Sequence, residues 1–409
     1  MSGTRRGPVG PGSLGALREA NESRVLALLA GARRSQAEVA REAGLAASTV
    51  SNIVRDLIAR GVICVVQEPG EPRLLELNRT GALTVGIDVG HRHIAVASVT
   101  PSGEIVAEDR SDLPQNLSAD KATEIIRRLY DTVLETSGTS TERLLGVAMG
   151  LPTPIDQATR RVAAPSILPG WAGVDMAALV SERLGRPVLI ENDANLGALA
   201  ERAWGAGRNV ESLAYLKLSE GVGAGLILDG KLYRGRHGIA GEIGHTTMDE
   251  YGRVCRCGNR GCLETLVAAR TVTDLLEPVR GPGLSIADVV RLAGDGDVAC
   301  ARVLADTGRL IGIALANLCN MFNPELVLLG GELAQAYEFM MPPMMDVVRR
   351  QGIPVATASL RIEPSSLAAK AHVLGAAWLA GREETLPAAQ CSDDEQMDRQ
   401  ETPGVQVLY

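Results

Sequence analysis

The stretch Leu83–Val106, LTVGIDVGHRHIAVASVTPSGEIV, alternates apolar runs with glycine-bearing turns. Short apolar runs bounded by turn residues read as buried strands. The segment therefore gives a strand, a turn at Gly90, a second strand, a Pro101-Ser102-Gly103 hairpin and a third strand. A helix over about Ala119–Thr136 follows, then the strand LLGVAMG (Leu144–Gly150) and the loop LPTPID (Leu151–Asp156). The theme returns at Leu213–Leu232, LAYLKLSEGVGAGLILDGKL, as strand, glycine turn, strand. A long helix near Gly308–Met321 then leads into the strand ELVLLGG (Glu325–Gly331). Strands alternating with helices in two halves place this part of the chain in the α/β class.

Between the two hairpins lies VLIENDANLGALAERAWGAGR (Val188–Arg208). A strand over Val188–Ile190 ends in Glu191-Asn192-Asp193, and a helix begins near Leu196. The helix dipole favours an ionised carboxylate at that point. Asn192 and Asp193 suit sugar hydroxyls, and Asp193 also suits a general base acting on one. A turn that merely caps the helix accounts for the same residues.

Downstream, HGIAGEIGHTTMDEYGRVCRCGNRGCLETLVAA (His237–Ala269) places His245 ahead of Cys255, Cys257 and Cys262. One imidazole and three thiolates form a closed tetrahedral set for zinc, and Gly258 and Gly261 permit the sharp turns between ligands. A redox pair would more often be spaced C-x-x-C. A saturated site has no open coordination position, so the expected role of Zn2+ is structural. It would hold Glu242, three residues before His245, near Glu264, two residues after Cys262. The other cysteines, Cys64, Cys300, Cys319 and Cys391, are scattered and read as inert thiols.

The region before residue 81 has a different character. Residues 1–80 hold 11 arginines against 8 carboxylates, a net of +3, while the remainder of this net −8 chain carries −11. A small basic module ahead of a larger acidic body implies two jobs. In NESRVLALLAGARRSQAEVAREAGLAASTVSNIVRDLIARGVICVV (Asn21–Val66), Val25, Leu26, Leu28 and Leu29 give a first helix its apolar face. Ser35 with Glu38 forms a capping box for a second helix that runs to about Ala43. Gly44 supplies the turn. A third helix over about Ala47–Arg60 carries Val50, Ile53, Val54, Leu57 and Ile58 on one stripe. Ser48, Ser51, Asn52 and Arg55, with Thr49 beside them, form the opposite face, suited to base edges and phosphates. Strands at Val62–Val66 and Leu74–Leu77 make a wing, with Arg73 placed to reach a minor groove. The pattern is a winged helix-turn-helix with a recognition helix. A three-helix protein-interaction module is the bland alternative.

At 409 residues, 45% hydrophobic and 22% charged, the chain has room for two or three domains. It carries no apolar run of membrane-spanning length and no signal-peptide pattern, so a cytoplasmic protein with no membrane partner is expected. The Gly/Pro-rich residues 1–13 read as a disordered arm, 14–80 as the DNA-binding domain, 81–382 as the body and the acidic 383–409 as a disordered tail.

The order winged helix, D-x-G turn, ENDANLGALAE, GxAGEIGH, CxCGxxGCLE resembles the ROK family (repressors, open reading frames, kinases) over about residues 14–382. The resemblance implies an actin-like, RNase H-like two-lobed sugar-kinase fold, whose two glycine turns clamp nucleotide phosphates between the lobes. It implies sugar-hydroxyl contacts at Asn192, Asp193, Glu242, His245 and Glu264, zinc ligation by His245, Cys255, Cys257 and Cys262, and, in kinase members only, a catalytic base at Asp193.

The turns depart from the kinase pattern. A kinase-like D-x-G-G-T-K is here Asp88-Val89-Gly90-His91-Arg92-His93, and G-T-G-x-G-x-G is Ser219-Glu220-Gly221-Val222-Gly223-Ala224-Gly225. A carboxylate such as that of Glu220 at about 4 Å from a phosphate costs several kcal/mol at intermediate dielectric. The expectation is a sugar-responsive transcriptional regulator, a repressor rather than an enzyme, bound to double-stranded operator DNA as a homodimer or homotetramer. The alternatives are an ATP-dependent hexose kinase with an added DNA module, and a regulator whose input is a protein such as a sugar-transport component.

Overall fold

The computed structural model describes residues 21–381, apart from 23, 27, 30–31, 60–61, 68–71, 79–82, 114–116, 157–158, 160, 163–170 and 172. The arm, the tail, Cys391 and the tip of the wing lie outside the described residues.

The N-terminal module is built on local signals. Ser35 caps helix Gln36–Ala43: its hydroxyl accepts from the Glu38 N–H at 3.3 Å, and the Glu38 carboxylate accepts from the Ser35 N–H at 2.8 Å. Gly44 closes that helix in the left-handed conformation, φ 65°. The next helix, Ala47–Ala59, buries Val50, Ile53, Val54 and Leu57 against Val25, Leu29, Val39 and Val62. Ile58 does not belong to that stripe. It is 40% exposed, because it lies in the last turn, one residue round from Leu57, beyond the reach of the core. Strands β1 (Ile63–Val66) and β2 (Leu74–Leu77) pair antiparallel, with Ile63 opposite Leu77.

The body contains two sheets of the same plan. Strands β3 (Leu83–Val89), β4 (His93–Val99), β5 (Ile105–Asp112), β6 (Leu144–Leu151) and β9 (Val188–Asn192) form the first, in the order β5-β4-β3-β6-β9. The short β7 (Ile155–Asp156) and β8 (Arg161–Val162) make a separate ribbon. The second sheet runs β12-β11-β10-β13-β14, from β10 (Leu213–Leu218), β11 (Val222–Leu228), β12 (Lys231–Leu232), β13 (Leu326–Gly330) and β14 (Arg361–Pro364). In each sheet the first three strands are an antiparallel meander and the last two join in parallel. The two lobes expected from the repeated hairpins are thus present, each with its glycine turn between its first two strands.

Between the sheets lie two helices, Asp193–Trp204 on β10 and β11 and Ala371–Ala380 on β3 and β6, packed on each other. The approach is too close for side chains. A Cβ on Gly86 would collide with the carbonyl oxygen of Val373, and one on Gly375 with that of Leu196. Helices Ala119–Ser137 and Met176–Leu184 cover the first sheet's outer face. Val298–Phe322 and Tyr337–Gln351 cover the second, burying Met340 and Met344. The long helix starts ten residues earlier than its apolar pattern suggested, at an Asp297 N-cap that accepts from the Cys300 N–H at 3.0 Å. Trp171 is 3% exposed and donates from Nε1 to the Leu117 carbonyl at 2.9 Å, which makes it a packing residue.

A buried carboxylate helps tie the lobes together. Asp88, at the end of β3, lies 3.0 Å from His93 Nε2 and 3.7 Å from His372 Nδ1. The far nitrogen of His372 lies 3.3 Å from the hydroxyl of Tyr215 on β10. Burial pushes the Asp88 carboxyl up, but the hydrogen bonds from His372 and His93 outweigh it and hold the group well below the usual carboxylate range. A folded-state value below the unfolded one of about 3.9 gives stability that is present above that pH and lost as the pH falls beneath it. Asp88→Asn is expected to destabilise the body near neutral pH, with the gap to the parent chain narrowing below about pH 4. Urea melts across that range check this; a gap that does not change with pH would refute it.

Candidate functional site

The strand-to-helix junction after β9 carries the first candidates. The strand runs on through Asn192, and the helix begins at Asp193, three residues ahead of the expected start. Asn192 is the N-cap: its Oδ1 accepts from the Ala194 and Asn195 N–H groups at 2.9 and 3.3 Å, and its Nδ2 donates to the Thr153 carbonyl at 3.2 Å. Behind it, the buried Glu191 accepts from the Asn192 N–H at 2.8 Å, from Asn195 Nδ2 at 3.0 Å and from Arg234 Nε at 2.6 Å. Asp193 is 3% exposed and ion-paired with Lys217, a residue of β10 that is itself buried.

Glu242 and Glu264 approach the same region, from the short helical turn Ile243–His245 and the helix Glu264–Val267. Burial, with the charges of Asp193 and Glu264, pushes the Glu242 carboxyl up to about 7, against the pull of Arg256. Glu264 is held by a fork: Arg256 Nε to Oε1 at 2.7 Å and Nη2 to Oε2 at 2.8 Å. The Val222 N–H also donates to Oε2, at 3.0 Å. The structure therefore brings Asp193, Glu242 and Glu264 together, and gives two of the three a dedicated cation.

His245, Cys255, Cys257 and Cys262 converge as one cluster, their ligand atoms all within 4.8 Å of one another. The Cys257 and Cys262 sulfurs are 3.7 Å apart, and Cys255 Sγ is 3.5 Å from His245 Nδ1. A tetrahedral ion bonded to sulfur at about 2.3 Å spaces its ligands by about 3.8 Å, so these donors fit a metal ion. Gly258 and Gly261, at φ 93° and 57°, turn the loop. His245 points its other nitrogen at Glu242, with Nε2 3.7 Å from Oε2. The imidazole thus links the cluster to the carboxylates, and an ion on Nδ1 would fix the ring's orientation toward them.

The two glycine turns face each other, and their unusual residues pair across the gap: Arg92 of the β3–β4 turn is salt-bridged to Glu220 of the β10–β11 turn. The pair lines a cavity of about 370 Å³ with Arg270, Asp274, Glu277 and Glu332. Glu220 therefore does not stand alone, as a reading of its turn by itself assumed. With Arg92 63% exposed, such a pair contributes about 1 kcal/mol or less. What sets the first turn apart from the kinase pattern is the missing threonine and lysine.

On the N-terminal module, Ser48, Ser51, Asn52 and Arg55 are exposed along one side of helix Ala47–Ala59, and Thr49 is half-buried. Arg55 Nη2 donates to Asn52 Oδ1 at 2.6 Å, while Arg73, exposed on the wing, donates to Gln67 at 3.2 Å.

Reading the residues by themselves missed Lys217, Arg256, His91, His93 and His372. Lys217 left a trace as one of four lysines in the chain, set inside an apolar strand, and His91 and His93 as departures from the kinase turn pattern.

Comparison with known proteins agrees with this geometry. The ROK family model matches residues 84–383, and the MarR family model matches 19–72. The chain is 31% identical to the xylose repressor of Bacillus subtilis strain 168 over 346 residues, covering 83% of this chain and 89% of that protein. It is 32% identical to the glucokinase of Thermotoga maritima over 310 residues, 72% of this chain and 95% of that one. A solved ROK family transcriptional regulator, a homologue of the Escherichia coli MLC protein, superposes with a TM-score of 0.72 at 27% identity, covering 89% of this chain and 96% of that one. The ROK match spans most of the chain, and with it the cleft, the cysteine cluster and both turns: the chain belongs to the ROK family.

Proposed function

We propose that this protein is a sugar-responsive, DNA-binding transcriptional repressor. The observation that carries the reading is the exposed Ser48, Ser51, Asn52 and Arg55 face on a winged helix that precedes a ROK body. Short polar side chains and an arginine on a helix that protrudes from its own core suit a major groove. The xylose repressor match covers 83% of this chain, whereas the glucokinase match covers 72%.

In this reading, residues 14–80 bind operator DNA and 81–382 bind sugar, in the cytoplasm. Asn192, Asp193, Glu242, His245 and Glu264 serve the sugar, and a structural Zn2+ sits on His245, Cys255, Cys257 and Cys262. Three thiolates and an imidazole suit zinc better than a hard cation. A homodimer sets two recognition helices on one pseudo-palindrome. The protein does not turn over ATP: Asp193 is ion-paired with Lys217, and the first turn lacks the threonine and lysine of the kinase pattern. Sugar changes DNA affinity only by binding one arrangement of the molecule more tightly than another.

Sequencing the DNA that the protein retains from sheared genomic fragments, with and without a sugar panel, tests the function. A palindromic site sensitive to one sugar is the expected result. No enriched site, together with sugar-dependent ADP release, would replace the repressor by a kinase. Asn52→Ala or Arg55→Ala is expected to weaken operator binding by about 1–3 kcal/mol each, tenfold or more. Sugar affinity, measured by calorimetry, should stay at the parent value, and its loss would end the separation of roles. Cys257→Ser should lose the metal, read by atomic emission, and sugar binding with it. Sugar affinity that survives metal loss would show that the cluster does not organise the cleft.

A further inference from the structure

We infer that Arg55 reads a guanine of the operator half-site and that Asn52 is its positioning residue, so that the two side chains recognise one G·C pair as a unit. The inference rests on the reading of residues 14–80 as the operator-binding module and specifies what its exposed helix face recognises.

Arg55 Nη2 donates to Asn52 Oδ1 at 2.6 Å, and both side chains are exposed on helix Ala47–Ala59. Side chains on a helix lean toward its N-terminus and lie over the turn before their own. Arg55, three residues after Asn52, therefore lays its guanidinium back over Asn52. That half of the helix also exposes Ser48 and Ser51. The N-terminal part of a recognition helix is the part that meets base edges. An arginine extended straight outward from the later turns would instead be free to take a phosphate.

The hydrogen bond also decides which base fits. Asparagine recognises adenine with both ends of its amide: Oδ1 accepts from N6 and Nδ2 donates to N7. Here a guanidinium stands at Oδ1. The adenine amino group would approach the same oxygen as a second donor, beside a positive charge that repels it. What the pair offers a base is donors: Asn52 Nδ2 and the remaining N–H groups of Arg55. A row of donors matches an edge made of acceptors. Guanine, with N7 and O6, is the base whose major-groove edge carries acceptors alone; adenine and cytosine present an amino donor, and thymine a methyl group beside one acceptor. One Nη2 hydrogen goes to Asn52, and the guanidinium still has two parallel N–H groups for the bidentate contact with guanine.

The tether also lowers the cost of binding. A free surface arginine samples many rotamers and loses that freedom when it docks. Held by Asn52, the guanidinium has lost part of it before DNA arrives. A residue that acts in this way works through its partner, so its removal is felt at the base its partner reads.

The test is fluorescence anisotropy of the full-length, metal-loaded protein on operator duplexes drawn from the retained genomic fragments, each with one half-site base pair replaced. The parent chain is expected to lose about tenfold or more in affinity when one particular G·C pair is replaced. Arg55→Ala should bind the replaced and unreplaced duplexes alike. Arg55→Lys should do the same while keeping the parent's salt dependence, because an ammonium keeps the charge and lacks the fork. Asn52→Ala should lose discrimination at that same pair and keep the parent's discrimination at every A·T pair. The double variant should bind within about twofold of Arg55→Ala, since residues that act as one are not additive. Both side chains are exposed, so the variants keep the fold. Discrimination lost at an A·T pair in Asn52→Ala would make Asn52 a reader of adenine and overturn the inference. Arg55→Ala that weakens every duplex alike, with a shallower salt dependence, would make Arg55 a phosphate contact and overturn it as well. Both of those results leave the operator-binding reading standing. Absence of any sequence-selective binding by the parent chain would overturn that reading itself.

Discussion

The structure depends on how closely two helices sit between two sheets. Helix Ala371–Ala380 rests on β3 at Gly86 and on helix Asp193–Trp204 at Gly375, and neither glycine has room for a Cβ. Backbone against backbone leaves little freedom for the lobes to slide. The same seam carries the buried Asp88, His372 and Tyr215, so its register is set by steric fit and by a polar chain together. Charged groups in a low-dielectric seam are costly when mispaired, and a shifted register would mispair them.

That rigidity explains the cleft. Asp193 opens one seam helix and Lys217 lies on the strand beneath it, so their pairing follows from the packing of helix on sheet. The cysteine cluster places Arg256 between two of its cysteines and Glu264 two residues beyond its last, which brings fork and carboxylate together. Glu191, Asp193 and Glu264 each have a basic partner, in Arg234, Lys217 and Arg256. Glu242 lies 3.7 Å from the His245 imidazole, and burial, then the charges of Asp193 and Glu264, push its carboxyl up.

Local features were legible in the sequence. The Ser35–Glu38 capping box, the apolar strand Leu83–Val89, the repeated hairpins and the four clustered metal donors each announce themselves within a few residues. What could not be read is what the fold brings together from afar. Arg92 meets Glu220 across 128 residues, and Asp88 meets His372 from the opposite end of the body. No local periodicity encodes such pairs. Glu220 read by itself was a lone repulsive charge; beside Arg92 it is half of a neutral pair. Ile58 shows the opposite error, where helical spacing extended a buried stripe past the point at which anything covers it.

Strand β6 shows how a cleft and a DNA-binding module share a skeleton. Near its start, Leu145 packs against the core of the winged helix. At its end, Leu151 pairs with Asn192, and just beyond it the Thr153 carbonyl accepts from the Asn192 amide. The residue that caps the Asp193 helix is therefore bound to the strand that touches the N-terminal module. A strand transmits displacement along its length far better than a loop, since its ladder hydrogen bonds resist bending. Contiguity of this kind becomes regulation only if the ligand favours one placement of the strand. A ligand that binds both placements equally shifts neither, however tightly it holds. The ion pairs of the cleft offer such a difference: a ligand that rearranges the partners of Lys217 or Arg256 changes the forces on Asp193 and Glu264, and the first of these opens the helix that Asn192 caps.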